Sequence, residues 1–180
     1  SGGVLLRSDD GGKSFATEIG KGYGPSYVWD ASTAVVSMPK SKANPTPKIL
    51  RSTDGAKTFE QVAEFEPRAV PIGQGDSVYW LASNGLMRSK DKGKSWDKLS
   101  AIKEPRTGPI FGKSPEHLFV TASSGILESH DGGKTWGTPI AAPKDFRGIN
   151  NMTWIAYDAG HDSLYIVKMG APLYRLTRKS

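Results

Sequence analysis

One short phrase recurs four times along this chain of 180 residues: Ser8-Asp9-Asp10-Gly11-Gly12-Lys13-Ser14-Phe15, Ser52-Thr53-Asp54-Gly55-Ala56-Lys57-Thr58-Phe59, Ser89-Lys90-Asp91-Lys92-Gly93-Lys94-Ser95-Trp96 and Ser129-His130-Asp131-Gly132-Gly133-Lys134-Thr135-Trp136. The aspartates Asp10, Asp54, Asp91 and Asp131 are separated by 44, 37 and 40 residues. A period near 40 marks a repeat architecture, so the fold is read from one unit and multiplied. In each phrase the Ser and Asp side chains can bond amides of their own turn, and glycine accepts the positive φ of a tight hairpin. The terminal aromatic can pack under the next strand. In the second copy Ala56 stands at the main glycine position. Either Gly55 takes over the unusual backbone geometry there, or that turn is looser than its siblings.

The flanking sequence predicts strands. Before the four phrases lie Val4-Leu5-Leu6, Ile49-Leu50, Leu86-Met87 and Ile126-Leu127; upstream come Ala34-Val35-Val36, Val78-Tyr79-Trp80-Leu81 and Leu118-Phe119-Val120, with Leu164-Tyr165-Ile166-Val167 as a late counterpart. Further upstream again are Tyr27-Val28-Trp29, Ala69-Val70-Pro71-Ile72, Pro109-Ile110-Phe111 and Met152-Thr153-Trp154-Ile155-Ala156. Short β-branched and aromatic runs between turn signals read as strands, four per unit, with the Ser/Asp hairpin joining the third to the fourth. Such a unit is one blade of a β-propeller.

The pattern Ser-x-Asp-x-Gly-x-Thr/Ser-Trp/Phe resembles the Asp-box, or BNR repeat, of sialidase-like β-propellers. The resemblance covers the blades and implies structural roles for Ser8, Asp10, Gly12, Phe15, Ser52, Asp54, Phe59, Ser89, Asp91, Gly93, Trp96, Ser129, Asp131, Gly133 and Trp136. It also implies a secreted or periplasmic location. The expected fold class is all-β: a single propeller domain over residues 1–180, with three complete four-stranded antiparallel blades bracketed by two partial ones. Either the ends combine to close a small ring, leaving one strand surplus, or the chain is a piece of a larger propeller. An open arc exposes strand edges and would call for a partner chain or further blades.

Composition excludes several classes. No apolar stretch reaches the roughly 18 residues of a membrane span, and no long amphipathic helical period occurs. The chain opens on Ser1-Gly2-Gly3 without a signal peptide, as a mature or trimmed form would. With no cysteine there are no disulfides or thiolate metal sites. The formal charge is +6, but the basic residues are spread through the repeats rather than gathered with stacking aromatics, which points away from nucleic acid. His117, His130 and His161 show no metal-ligand spacing, so neither a metal nor another cofactor is expected.

Candidate chemistry lies at the end of the blades opposite the hairpins. Glu66-Pro67-Arg68, Glu104-Pro105-Arg106 and Asp145-Phe146-Arg147 place their arginines 14, 15 and 16 residues after Asp54, Asp91 and Asp131, where the chain enters a first strand. Three convergent guanidinium groups would suit a carboxylate, sulfate or phosphate. Alternatively each arginine pairs with the acid two residues before it. Sialidases hold the carboxylate of sialic acid with an arginine triad and use a tyrosine nucleophile. The Arg-Ile-Pro phrase of that machinery is absent here, and nothing local marks Tyr157 or Tyr174 as activated. Asp158 and Asp162 flank a turn and read as turn residues. Lys13, Lys57, Lys94 and Lys134 form either a solvated rim or a docking surface for something acidic, and the insertion 39–48 is a mobile rim or a docking arm. The expectation is a non-catalytic binding module presenting one loop face to a glycan or protein partner. The alternative is a sialidase-type exo-glycosidase, or a fragment of one, acting on an anionic sugar.

Overall fold

The computed structural model describes residues 3–146 and 148–177. Apart from one short 3-10 turn, Lys144–Phe146, its regular structure is all strand. The strands are β1 (Gly3–Arg7), β2 (Thr17–Tyr23), β3 (Ser26–Val28), β4 (Ala34–Met38), β5 (Lys48–Ser52), β6 (Glu60–Ala63), β7 (Ile72–Gln74) and β8 (Ser77–Ala82). They continue as β9 (Gly85–Ser89), β10 (Asp97–Ala101), β11 (Pro105–Phe111), β12 (Leu118–Ala122), β13 (Gly125–Ser129), β14 (Thr153–Asp158), β15 (Ser163–Lys168) and β16 (Tyr174–Thr177). They form five antiparallel meanders in chain order: β1-β2, β3 to β6, β7 to β10, β11 to β13 and β14 to β16. In the third repeat the fourth-strand position is reduced to a bridge between Ile126 and Ile140. Pro139 and Pro143 lack the amide that a ladder needs, and Gly137 adds backbone freedom. Asp145-Phe146-Arg147 precedes the last sheet; Arg147 lies outside the described residues.

The chain divides into two compact units, one of Ser1–Pro67 with Ser89–Trp96, the other of Arg68–Arg88 with Asp97–Ser180. In the second unit β12 is buried throughout. Its Leu118, Val120 and Ala122 join Tyr79, Leu81 and Leu86 in one cluster, while Phe119 turns to the other side to meet Leu164, Ile166 and Phe146. Alternate side chains thus serve two neighbouring sheets, which is why such strands read as unbroken apolar runs. Trp80, fully buried, satisfies its indole N–H on the carbonyl of Ala69 at 2.8 Å.

The four hairpins share one hydrogen-bond design. In the fourth, Ser129 Oγ donates to Asp131 Oδ1 (2.8 Å) and accepts the Gly133 amide (2.9 Å). Asp131 Oδ1 accepts the Thr135 amide (2.9 Å), and Asp131 Oδ2 accepts the Thr135 hydroxyl (2.6 Å). The same set recurs on Ser8 and Asp10, on Ser52 and Asp54, and on Ser89 and Asp91. Each turn contains two successive left-handed residues, among them Gly55 (φ 75°) with Ala56 (φ 63°) and Lys92 (φ 53°) with Gly93 (φ 77°). Ala56 therefore adopts the strained geometry beside Gly55, and the bonds of its turn match those of its siblings.

A further periodic contact links successive hairpins of the first unit. The residue before the phrase is Arg7, Arg51, Arg88 and then Glu128. Arg7 donates to the carbonyl of Gly55 (2.5 Å) and Arg51 to that of Lys92 (2.8 Å), the first left-handed residue of the next turn in both cases. The fourth copy substitutes an acid for the base.

Candidate functional site

Two groups of polar side chains stand out in the second unit, at opposite ends of its strands. The first is built on β11 and β14. Arg106, at the start of β11, donates through Nε and Nη2 to Ser123 Oγ (3.1 and 2.7 Å) and lies 3.7 Å from Glu104. Glu104 itself occupies left-handed backbone (φ 49°). The next residue, Thr107, donates its hydroxyl to the carbonyl of Thr153 at 2.7 Å, tying the start of β11 to the start of β14. Flanking Thr153, the first residue of β14, are Met152 and Trp154, both about half exposed. Arg68 is exposed, and its backbone amide donates to Leu81 O at 2.8 Å. Arg106 is thus held by the acid two residues before it and by a serine, at the start of a strand tied to β14.

The second group is one that linear spacing conceals. The β12–β13 hairpin has a two-residue turn, pairing Ala122 with Gly125 and Leu118 with Ser129. One step further, the same register sets His117 opposite His130, with Glu128 beside them. His117 Nε2 lies 2.6 Å from Glu128 Oε1, and His130 Nε2 lies 3.3 Å from the same oxygen. The two imidazoles stack, with centroids 4.5 Å apart and planes at 19°. His117 is buried, whereas the His130 side chain is 71% exposed. The Lys113 amide donates to His117 Nδ1 at 3.1 Å, so that nitrogen carries no proton. The neutral ring must therefore bear its proton on Nε2 and donate it to Glu128. Gly112 makes room for this, because a Cβ there would collide with the His117 ring.

Aromatic and charged neighbours complete the wall. Tyr157 meets the His117 ring edge-on at 5.4 Å and donates its hydroxyl to Asp162 Oδ1 at 2.7 Å, while Lys113 Nζ lies 3.9 Å from the same oxygen. In the adjoining turn His161 Nδ1 lies 2.7 Å from Asp158 Oδ2, and that hydrogen bond is the largest influence holding the Asp158 carboxyl below its usual range. Tyr174 packs edge-on against Phe146. Counting back from the two-residue turn would have found the pairing of His117 with His130 in the sequence; the spacing of the histidines alone could not.

No protein-family model matches the chain, and no curated protein sequence matches it. Solved structures do. A GH74 xyloglucanase from Xanthomonas campestris superposes with a TM-score of 0.56 at 18% identity, covering 87% of this chain and 29% of that one. A GH74 enzyme from Niastella koreensis gives 0.53 at 17% identity, covering 82% and 26%. A structure of YCF48 bound to D1 peptide gives 0.50 at 14% identity, covering 86% and 55%. The chain therefore spans less than two thirds of each of these proteins. At these identities the likeness establishes the fold: the chain is an all-β protein of the β-propeller class, built of antiparallel blades. Among the described residues no helix is long and apolar enough to cross a membrane.

Proposed function

We propose that this chain is a non-catalytic Asp-box β-propeller module, or part of one, that binds a glycan or protein partner at the end of the blades opposite the hairpins. The observation that carries this reading is that β11 and β14, joined by the Thr107–Thr153 bond, bear an anchored Arg106 and a half-exposed Trp154. Trp154 and Met152 keep about half their surface in water although they lie among apolar strands. Tryptophan and arginine are the side chains over-represented where binding energy concentrates. Arg106, anchored by Ser123 and Glu104, has its fork held in one orientation, which lowers the entropy lost on binding. Arg68 and Arg147 extend the proposal to a partner with anionic groups. The hairpins' likeness to the Asp-box supports membership of the sialidase-like superfamily and a secreted or periplasmic location.

Screening the wild-type chain, Trp154→Ala and Arg106→Ala on a glycan array and by peptide pulldown tests the reading. Binding lost in Trp154→Ala at unchanged melting temperature supports it. Turnover of a fluorogenic sialoside that Arg106→Ala abolishes would replace it with glycoside hydrolysis.

A further inference from the structure

We propose that Glu128, His130 and His117 form a binding site for a borderline divalent metal ion such as zinc, at the hairpin end of the β12–β13 ladder. One ligand atom from each residue, a ring nitrogen of His117, a ring nitrogen of His130 and a Glu128 carboxylate oxygen, can be chosen so that all lie within 4.8 Å of one another. A tetrahedral zinc ion with N and O ligands at about 2.0–2.1 Å holds its ligand atoms about 3.3 Å apart. The His130–Glu128 separation of 3.3 Å already meets that figure, and the His117–Glu128 separation of 2.6 Å has to open by less than 1 Å. Two imidazoles and one carboxylate leave a fourth position for water, as in sites with three protein ligands. The donor set also selects the ion. Imidazole nitrogen suits zinc, copper and nickel, whereas calcium and magnesium require an oxygen cage.

A second observation separates this cluster from the scaffold. At the position of Glu128 the other three repeats carry Arg7, Arg51 and Arg88, and in the first unit two of these latch onto a carbonyl of the next hairpin. Glu128 cannot make that bond, since an ionised carboxylate has no proton to donate. It faces two histidines instead. An open groove lined by Glu128, His130, Asp131, Thr135 and Trp136 gives a hydrated ion access from the His130 side.

Occupancy must alter the segment before β12. His117 can coordinate through Nε2 only after that nitrogen loses its proton, and a neutral ring then carries the proton on Nδ1. The Lys113 amide, a donor, has to turn away from a nitrogen that has become a donor too. Ion binding is therefore coupled to a local change at Lys113.

The test is a zinc titration of the whole chain, followed by calorimetry and by NMR of the histidine Hε1 and backbone amide signals. Saturation at one ion per chain is expected, with the Hε1 signals of His117 and His130 moving together and the Lys113 amide shifting. Because His130 is exposed, His130→Ala keeps the fold and should weaken the ion by at least about tenfold. Glu128→Gln should do the same. His161→Ala removes the other imidazole–carboxylate pair, Asp158–His161, and should leave the affinity unchanged. Absence of saturable binding, affinity untouched by His130→Ala, or loss confined to His161→Ala overturns the proposal. A Lys113 amide that stays put while the ion binds overturns the role of His117.

Discussion

Arg51 Nε donates to the carbonyl of Lys92 at 2.8 Å, fixing the strand before one hairpin to the first left-handed residue of the next. Its side chain is only 15% exposed, so the stem is packed, while the bond itself lies at the surface. A hydrogen bond from a charged donor contributes about 1.5–3 kcal/mol, and truncation also strips away the packed stem. Arg51→Met is expected to lower the unfolding free energy by no more than that amount, because water competes for a bond at the surface. Urea unfolding followed by tryptophan fluorescence would show it as an earlier midpoint; an unchanged midpoint would mean that the latch contributes nothing.

Ala56 and Gly93 stand at equivalent places in their turns and make opposite predictions. Ala56 holds φ 63°, where a Cβ costs roughly 1–2 kcal/mol, partly offset by the extra freedom that glycine gives the unfolded chain. Ala56→Gly should therefore stabilise slightly, by up to about 1 kcal/mol. At Gly93 a Cβ would lie 2.5 Å from Val35 Cγ1 and 2.8 Å from Trp29 Cη2, so Gly93→Ala adds overlap to backbone strain. Thermal melts of the two variants should move in opposite directions, the second by several degrees downward.

How much of this was legible beforehand follows from the length scale of each cause. The Ser/Asp turns are local, every bond spanning four residues or fewer, so the sequence phrase specifies them almost completely. The strand runs of β4, β8, β12 and β15 were legible because burial on both faces leaves them continuously apolar. The first strand of the second repeat was not: the run Ala69-Val70-Pro71-Ile72 predicts a strand, whereas β7 begins only at Ile72. Pro71 denies that run a ladder donor, and Trp80 takes the Ala69 carbonyl. The site was harder still. Arg106 could be singled out from its spacing, but Trp154 reads as one more strand aromatic until its exposure is known. Glu128 has no motif at all; it becomes visible only when β12 and β13 are zipped and the arginine of the other repeats is seen to be missing.

The hairpin aspartates predict an acid limit to stability. Hydrogen bonds from the Ser14 hydroxyl first, then from its amide and from Ser8, bring the Asp10 carboxyl down to about 2. Thr58 and Thr135 hold Asp54 and Asp131 lower still, by hydroxyl and then amide. At Asp91 burial pushes upward, and the bonds from Ser95 and Ser89 outweigh it. Folded values below the unfolded one mean that the unfolded chain binds more protons in acid. The stabilisation is complete above about pH 5 and disappears as pH falls through 4 toward 2. Melting temperature against pH should be level from 7 to 5 and then drop. Asp131→Asn should lower the plateau and make the drop shallower; an equally steep drop in that variant would place the acid sensitivity elsewhere.

Glu128 gives the sharpest contrast between two replacements of one side chain. The Lys113 amide fixes the His117 tautomer, so without a bound ion the buried ring points an N–H at Glu128. Glu128→Gln retains an oxygen that can accept that proton, while Glu128→Ala leaves a buried donor with its acceptor removed, a loss of about 1–3 kcal/mol. The alanine variant should therefore unfold at clearly lower urea than the glutamine variant in metal-free buffer, and His130→Ala, which removes an exposed ring, should stay close to wild type. Equal midpoints for the glutamine and alanine variants would show that His117 finds another acceptor, and the assigned tautomer would then fall with the bond that defines it.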